Sequence, residues 1–371
     1  MVKIIPRSSI SDYALILLAP VAYVAFYLLT IFYLAVSPEA SSCKNICVIV
    51  DSFFLYTGLC IYTVIQLRTF PKKGFFLKFQ YTMDEIDEEL KKCNSKLQLP
   101  RKTRFEQIFL GVGCTCFLIA MAFDGSSSPI AMLFSFCADM PYVLVCIFQG
   151  QFICLVHEVA LRFDDLNNVL ETISEECDSK CERLKIFDIE TEFDKKTTKA
   201  KDTKDKEEAV EKDTERFLVD VFKLHEKLCS VSVLANNEYA LEIVCYMTST
   251  FILNVFGIFL ETKVIFIVGG QNRYFDFLAT SYIIWGVIFL LVAYMVLRLC
   301  CRVMRESKRS ALLVHEIMQK KPAFMLGNDI YYNRMKGFTL QYLHWESYFY
   351  FNGIGLFPLD YTFIFSVRFN Y

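Results

Sequence analysis

The stretch Phe275–Val296, FDFLATSYIIWGVIFLLVAYMV, carries one charged residue, Asp276, directly after its first residue. A bilayer has a hydrocarbon core of about 30 Å, which takes about 20 residues of α-helix to cross. Phe275–Val296 is apolar over that length. It therefore predicts a membrane-spanning helix.

Further stretches of the same kind divide the rest of the chain. The sequence is 54% hydrophobic and 22% charged, and its charged residues lie in blocks between the apolar stretches. A soluble helical protein would interleave charged and apolar positions at helical spacing instead. The other predicted spans are Tyr13–Val36, Ile46–Leu67, Phe105–Phe123, Ile130–Leu155 and Tyr239–Ile265. With a shorter apolar run at the carboxyl terminus, they predict an all-α polytopic membrane protein with seven transmembrane helices. The first span is too long for a signal-peptide core of about 7–15 residues, so we expect it to be retained.

Positive charge alternates between the connections and gives the orientation. The segments Arg68–Arg104, Leu161–Val233 and Arg298–Lys336 are rich in lysine and arginine, whereas the intervening loops carry almost none. Cytosolic loops hold the excess of positive residues, so the amino terminus and the rich segments are predicted to be cytosolic. A G-protein-coupled receptor has the reverse orientation. The Asp-Arg-Tyr and Asn-Pro-x-x-Tyr sequences usual in such receptors are also lacking here.

The charged connection Glu171–Glu215 admits two interpretations, a solvated helical extension of span four or a disordered insert. Its flanks, 161–170 and 215–231, recover apolar residues at spacings of three and four. We therefore expect the flanks to continue spans four and five as cytosolic helices that pack on each other.

The sequence contains no catalytic motif. None of the four histidines opens a His-Glu-x-x-His zinc site, and no dinucleotide loop, Walker loop or Ser/His/Asp grouping occurs. We expect no enzyme activity, no metal and no cofactor, and the net charge of −2 gives no sign of nucleic-acid binding. The cysteines are expected to be free thiols. Cys43 and Cys47, in or beside a predicted external loop, are the one plausible disulfide, and whether they are bonded stays open.

Polar and aromatic residues inside the predicted spans suggest a binding pocket. An unpaired polar group costs several kcal/mol in lipid, so Asp51 and Asp139 should face a partner or an aqueous cavity. Each is either a functional carboxylate or a structural acid, and Asp51 has the further option of reaching toward the interface. Aromatic walls with a few hydroxyls suit small organic molecules, although each position alone is also explained by helix packing. The candidate pocket residues are Asp51, Phe54, Phe136, Asp139, Tyr142, Thr250, Asn254, Tyr282 and Trp285.

The carboxyl-terminal stretch 336–366 reads KGFTLQYLHWESYFYFNGIGLFPLDYTFIFS. The first apolar residues of this stretch fit one face of a helix. Asn352-Gly353 and Gly355 are predicted to interrupt that helix. Pro358 is suited to begin a second helix, because proline is tolerated in the first helical turn. Three parts follow: the span helices in 1–335, a cytosolic helix in 336–352, and the start of a membrane helix in 353–371.

This stretch resembles the insect gustatory receptors. Phe338-Thr-Leu-Gln341 with His344 matches the Phe-x-Leu-Gln pattern of that family, and Gly355-Leu-Phe-Pro-Leu-Asp360 matches Gly-(Leu/Phe)-Phe-x-(Leu/Ile)-Asp. The predicted seven-span layout agrees over most of the chain. Insect odorant receptors share the layout and a looser form of this ending, and they remain the alternative.

The resemblance implies a tetrameric ligand-gated cation channel, homomeric or heteromeric, in the plasma membrane of chemosensory neurons. Its ligand would be a small-molecule tastant, whose identity the sequence does not give. Phe338, Leu340, Gln341 and His344 would belong to an anchor helix, and Tyr361, Thr362, Ile364 and Phe365 would begin the pore helix. A secondary transporter is a weaker alternative, because it predicts internal repeats that we do not find.

The ending departs from the family. Its members usually end on Thr-Tyr, several apolar residues and Gln-Phe, whereas this chain has Val-Arg-Phe-Asn-Tyr after Ser366. We expect the last helix to be truncated by a missing final exon, because Val-Arg can be encoded by bases that resemble the opening of an intron.

Overall fold

A computed structural model of the chain describes residues 24–25, 28, 56–58, 60–65, 68, 72–93, 115, 129–191, 200–263, 273–320, 337 and 351–361. The long helices in these ranges are α1, Lys72–Cys93; α2, Pro129–Thr191; α3, Ala200–Lys263; and α4, Arg273–Lys320. Residues 56–58 and 60–65 are also helical. Within the described ranges the chain forms no β-strand, and the predicted all-α class is confirmed.

Three of the described helices contain segments that are long and apolar enough to cross a membrane. These segments are Pro141–Glu175 in α2, Val219–Phe259 in α3 and Ile283–Ile317 in α4. The number of seven spans and the cytosolic amino terminus stay predictions.

The helices are much longer than a bilayer requires. α2 has 63 residues and α3 has 64, against the roughly 20 that cross the hydrocarbon. Both flanks of the charged connection lie inside these helices, as their apolar spacing predicted. The contact between the rings of Phe163 and His225, 5.4 Å apart, confirms that the flanks pack on each other. For the described part of Glu171–Glu215, the helical interpretation is the correct one.

The apolar residues of α3 and α4 lie on two opposite sides. One side buries Tyr246 and Phe289 completely, whereas the other exposes Phe251 by 63% and Ile258 by 68%. Exposed aromatic and aliphatic side chains in such numbers are unusual for a surface in water but suit contact with lipid.

By its contacts the chain divides into two compact units. The first comprises residues 1–76, 104–152 and 239–296, and the second comprises 77–103, 153–238 and 297–371. In the first unit, the ring of Tyr239 lies 6.1 Å from that of Phe75 and 5.6 Å from that of Phe152. The Tyr239 hydroxyl donates a hydrogen bond to Gln151 at 3.3 Å, so the buried ring keeps a partner for its polar end.

In the second unit, α2 and α4 run parallel. Asp164 accepts a hydrogen bond from Arg302 at 2.8 Å, Asn167 donates to the Glu306 carbonyl at 3.0 Å, and Glu171 accepts from Arg309. The two partners are separated in sequence by 138, 139 and 138 residues respectively. A nearly constant separation means that both chains advance in the same direction.

Helix α1 also belongs mainly to the second unit. Its buried side chains Phe79, Met83, Ile86 and Leu90 recur at spacings of three and four, which gives one apolar face.

Ion pairs lie at the edges of this face of α1. Asp87 pairs with Arg162 of α2 at 3.0 Å, and Glu85 and Glu89 pair with Lys227 of α3. The pairs made by Lys227 are partly exposed and contribute about 1 kcal/mol or less each, whereas the pair between Asp87 and Arg162 is largely buried. The apolar face and the buried pair together attach α1.

Asn167 organises a buried polar group between α2 and α4. Its amide nitrogen donates to the Glu306 carbonyl at 3.0 Å and to the Glu306 carboxylate at 3.3 Å. Its amide oxygen accepts from the Ser310 hydroxyl at 2.5 Å. All three residues are buried. Ser310 also donates to the Glu306 carbonyl at 3.2 Å, and the Glu306 carboxylate also pairs with Arg305 and Arg309, so Asn167 adds the hydrogen bonds that join α2 to this group.

We therefore predict that Asn167→Leu destabilises the protein by about 1 kcal/mol, because it removes the buried hydrogen bonds that join α2 to Glu306 and Ser310 of α4. The measurement is the midpoint of thermal unfolding in detergent. Asn168→Leu is the matched control, since Asn168 is the exposed neighbour on the same helix. Equal midpoints for the two variants would contradict the role assigned to Asn167.

Candidate ligand site

The first unit contains a buried aromatic group centred on Phe289, which we call the Phe289 cluster: Tyr142, Tyr246, Trp285 and Phe289. Tyr246 stacks on Phe289 with ring centres 5.1 Å apart and planes inclined by 8°. Tyr142 and Trp285 each meet Phe289 edge to face, at 6.2 Å. Helices α2, α3 and α4 therefore all contribute a ring to one site.

Helical spacing places these side chains. Trp285 and Phe289 are four residues apart on α4, and Tyr246 and Thr250 are four apart on α3, so each pair occupies one helix face. The Thr250 hydroxyl donates to the Tyr246 carbonyl at 2.9 Å, and the Asn254 amide donates to the Thr250 carbonyl at 2.7 Å. The Tyr246 hydroxyl donates to the Phe289 carbonyl. The polar hydrogens of this face thus have acceptors within the protein.

A glycine allows α3 and α4 to approach beside the cluster. A Cβ atom added to Gly286 would lie 3.0 Å from the Asn254 side-chain oxygen, which is closer than ordinary van der Waals contact. Asn254 thus lies against Gly286, whereas Tyr246 lies against Phe289. From the first pair to the second, the residue number decreases on α3, from 254 to 246, and increases on α4, from 286 to 289. The two helices therefore run antiparallel here.

The arrangement offers ring faces and edges, with few polar atoms. Tyr246 and Phe289 are fully buried, and Tyr142 and Trp285 are 5% and 6% exposed. Such walls favour apolar or aromatic organic molecules. Among the described residues, no three His, Cys, Asp or Glu side chains are grouped to hold a metal ion.

Four of the predicted pocket residues lie in or beside this cluster: Tyr142, Thr250, Asn254 and Trp285. Phe136 and Asp139 have their backbone in α2, and Tyr282 has its backbone in α4, but their side chains lie outside what the structure describes. Asp51 and Phe54 lie outside the described residues altogether. These five stay predictions.

The two most buried members of the cluster, Tyr246 and Phe289, were not among the residues predicted from the sequence. Each lies one helical turn from a residue that was predicted, since Tyr246 precedes Thr250 by four and Phe289 follows Trp285 by four. Extending each candidate by one turn on its own face would have found both.

Two buried polar side chains were also missed. Gln149 on α2 has no exposed surface, and neither its amide oxygen nor its amide nitrogen has a partner among the described residues. Glu242 on α3 is equally buried, and its carboxylate forms an ion pair with the Arg68 guanidinium at 3.8 Å. Both residues belong to the first unit.

The structure describes only some of the carboxyl-terminal residues to which a role was predicted. Residues 351–360 are not helical, and helical structure resumes at Tyr361, which is 42% exposed. Phe338, Leu340, Gln341 and His344 lie outside the described residues, as do Thr362, Ile364 and Phe365. The anchor helix and the pore helix therefore stay predictions.

Comparison with known proteins adds an independent finding. A sequence model of the family described as 7tm Chemosensory receptor matches residues 6–369. The gustatory and pheromone receptor 33a of Drosophila melanogaster is 36% identical over an alignment of 422 residues, which covers 96% of this chain and 89% of the relative. Both matches extend over nearly the whole chain and agree with the resemblance drawn from its carboxyl-terminal residues.

We predict that Gly286→Val separates α3 from α4, because the added side chain cannot occupy the space taken by Asn254. Overpacking of this kind costs about 1–3 kcal/mol. The unfolding midpoint in detergent should fall. Gly74→Val is the control, since a Cβ atom at Gly74 meets nothing within 4 Å. If both variants keep the wild-type midpoint, the close approach at Gly286 is not present in the folded protein.

We further predict that Gln149→Met stabilises the protein, because it replaces an amide that has no hydrogen-bond partner among the described residues with an apolar side chain of similar length. Gln151→Met is the matched control. Gln151 is exposed and accepts the hydrogen bond from Tyr239, so its replacement should leave the unfolding midpoint unchanged or lower it. A lower midpoint for Gln149→Met than for Gln151→Met would show that the buried amide does have a partner.

Proposed function

Because the chain belongs to the 7tm chemosensory receptor family, we propose that it is a gustatory receptor, which forms a ligand-gated cation channel and detects small-molecule tastants. The observation that carries this proposal is the relative named as a gustatory and pheromone receptor, which aligns with 96% of the chain. The family is one of receptors rather than of enzymes, and the chain is a multi-pass membrane protein.

The Phe289 cluster supports recognition of an organic ligand. It brings rings from α2, α3 and α4 together in an apolar, buried place. A ligand that inserts among these rings must change their packing, and packed helices respond to such a change by moving as units. Binding to the cluster is therefore a means of moving three long helices at once.

The channel itself is proposed from the resemblance at Phe338–Gln341 and Gly355–Asp360. Four subunits, identical or mixed, would surround a pore lined by their last helices in the plasma membrane of a chemosensory neuron. The ligand would open the pore by binding the open arrangement more tightly than the closed one. An odorant receptor subunit and, less favoured, a transporter are the competing proposals.

Pheromone detection is a second candidate that one observation favours. The relative is named for both roles, and the aromatic walls of the Phe289 cluster suit apolar molecules as well as aromatic tastants. A ligand panel should therefore include long-chain hydrocarbons and esters beside sugars and bitter compounds.

The test is whole-cell recording from cells that express the chain, alone and with a second gustatory receptor subunit. We expect a ligand-evoked, non-selective cation current that is lacking in cells without the chain. Uptake of labelled ligand without a current would instead support a transporter. Responses confined to volatile odorants would support an odorant receptor.

A variant pair connects the current to the Phe289 cluster. Phe289→Leu removes the ring that contacts Tyr142, Tyr246 and Trp285, and we predict that it raises the half-maximal ligand concentration by about threefold to tenfold, the worth of one to two aromatic contacts. The control is Leu290→Phe on the next residue of α4, which is 51% exposed and should leave the response unchanged at equal surface expression. Equal responses from both variants would exclude this cluster from ligand recognition.

A further inference from the structure

Residues 351–360 form a closed turn in the second unit, and Tyr361 follows it as a helical residue. Asn352 and Pro358 make an isolated antiparallel bridge. The backbone nitrogen of Leu359 donates to the Phe351 carbonyl at 2.8 Å, and that of Gly353 donates to the Phe357 carbonyl at 3.0 Å. Phe351 and Leu359, at the base of the turn, are buried.

The tip of the turn is held in an unusual backbone conformation. Ile354 has a φ of 53° and Gly355 has a φ of 72°. The left-handed region is ordinary for glycine but disfavoured for a β-branched residue, which adopts it only when its surroundings enforce it. Here the Gly355 nitrogen donates to the Asn352 side-chain oxygen at 2.7 Å, and the Leu356 nitrogen donates to the Gly353 carbonyl at 2.9 Å. Asn352 thus helps to set the shape of the tip.

Asn352 is itself bound by Asn236 of α3. The Asn236 side-chain oxygen accepts a hydrogen bond from the Asn352 backbone nitrogen at 3.0 Å, across 116 residues of sequence. Asn236 is only 3% exposed. An apolar residue would fill the same space but would leave the Asn352 N–H without this acceptor, so the amide is needed for its hydrogen bond rather than for its volume.

We infer that Asn236 is a positioning residue that fastens the turn 352–358 to α3 and thereby couples this helix to the segment that begins at Tyr361. The coupling rests on the proposed channel function, in which that last segment lines the pore. Helix α3 also carries Tyr246 and Thr250 of the candidate ligand site. A movement of α3 on ligand binding would reach the last segment through the hydrogen bond at Asn236.

Two substitutions separate the hydrogen bond from packing. Asn236→Leu keeps the approximate volume and removes the acceptor, whereas Asn236→Asp keeps an acceptor oxygen in the same place whether its carboxyl is charged or protonated. Asn237→Leu is the matched control, because Asn237 is the exposed neighbour on the same helix.

Hydrogen exchange tests the fastening without requiring channel activity. We expect the amides of 352–357 and 359 in the full-length protein to exchange about threefold to tenfold faster in Asn236→Leu, the effect of one lost hydrogen bond. Asn236→Asp and Asn237→Leu should match the wild type. If Asn236→Leu fails to fold, Asn236→Ala removes the same acceptor with a smaller side chain, and it should also speed exchange. Unchanged exchange in whichever of these two variants folds, or equal acceleration in Asn236→Leu and Asn236→Asp, would overturn the inference.

Current recording tests the coupling at equal surface expression. We expect Asn236→Leu to change the half-maximal ligand concentration or the ligand-independent current by about threefold or more, with Asn236→Asp restoring wild-type behaviour. Faster exchange with unchanged gating would overturn the coupling. A wild-type chain that gives no ligand-evoked current would reject the proposed function together with the coupling, and faster exchange in Asn236→Leu would then support the fastening of the turn alone.

Discussion

In hydrocarbon, a backbone N–H or C=O that finds no partner within the protein costs several kcal/mol, and this constraint governs the chain. It explains why the described apolar segments are long helices, which pair most of their backbone groups locally; the exception is Pro141 inside α2, which has no N–H to donate. Polar side chains on these helices follow the same logic. Ser249, Thr250 and Asn254 each donate to the carbonyl four residues earlier, at 2.7, 2.9 and 2.7 Å. Their donor hydrogens are thus satisfied within one helix.

Two buried asparagines of the second unit instead use their side chains to join separate elements of the chain. Asn167 pairs with Glu306 and Ser310, and Asn236 pairs with the backbone of Asn352. Each of these asparagines is buried and uses its side chain across more than one hundred residues of sequence. Hydrogen bonds of this kind fix which residue of one element lies beside which residue of another, because a shift by one position leaves both partners unpaired. Apolar packing alone tolerates such shifts more readily.

This difference explains what the sequence reveals and what it does not. Helix type and length follow from local patterns, so the extension of α2 and α3 beyond the predicted spans was visible in the apolar spacing of 161–170 and 215–231. Thr250 and Trp285 were predicted because hydroxyls and rings inside apolar spans are conspicuous. Tyr246 and Phe289 could have been predicted in the same way, because they lie one helical turn from Thr250 and Trp285 respectively. The burial of Gln149 without a partner among the described residues was not, because it depends on which side chains other helices bring to it. The contact between Asn236 and Asn352 was hidden for the same reason, since nothing near either residue in sequence indicates the other.

The two kinds of polar arrangement suit the two tasks of a receptor. Around Phe289, the Thr250 hydroxyl and the Asn254 amide are satisfied within α3, so the rings can repack without breaking a hydrogen bond from either of these donors to another helix. The Tyr246 hydroxyl, which donates to the Phe289 carbonyl, does join α3 to α4. A turn fastened by side chains from elsewhere, as at Asn352, instead follows the helix that holds it. In the proposed receptor, ligand recognition is favoured by the first property, because less of the free energy of binding is spent on separating polar partners. Transmission needs the second, because a loosely packed connection would absorb the movement. The Ile354 backbone supports this division, since a disfavoured φ of 53° persists only where the surrounding contacts leave the chain no easier path.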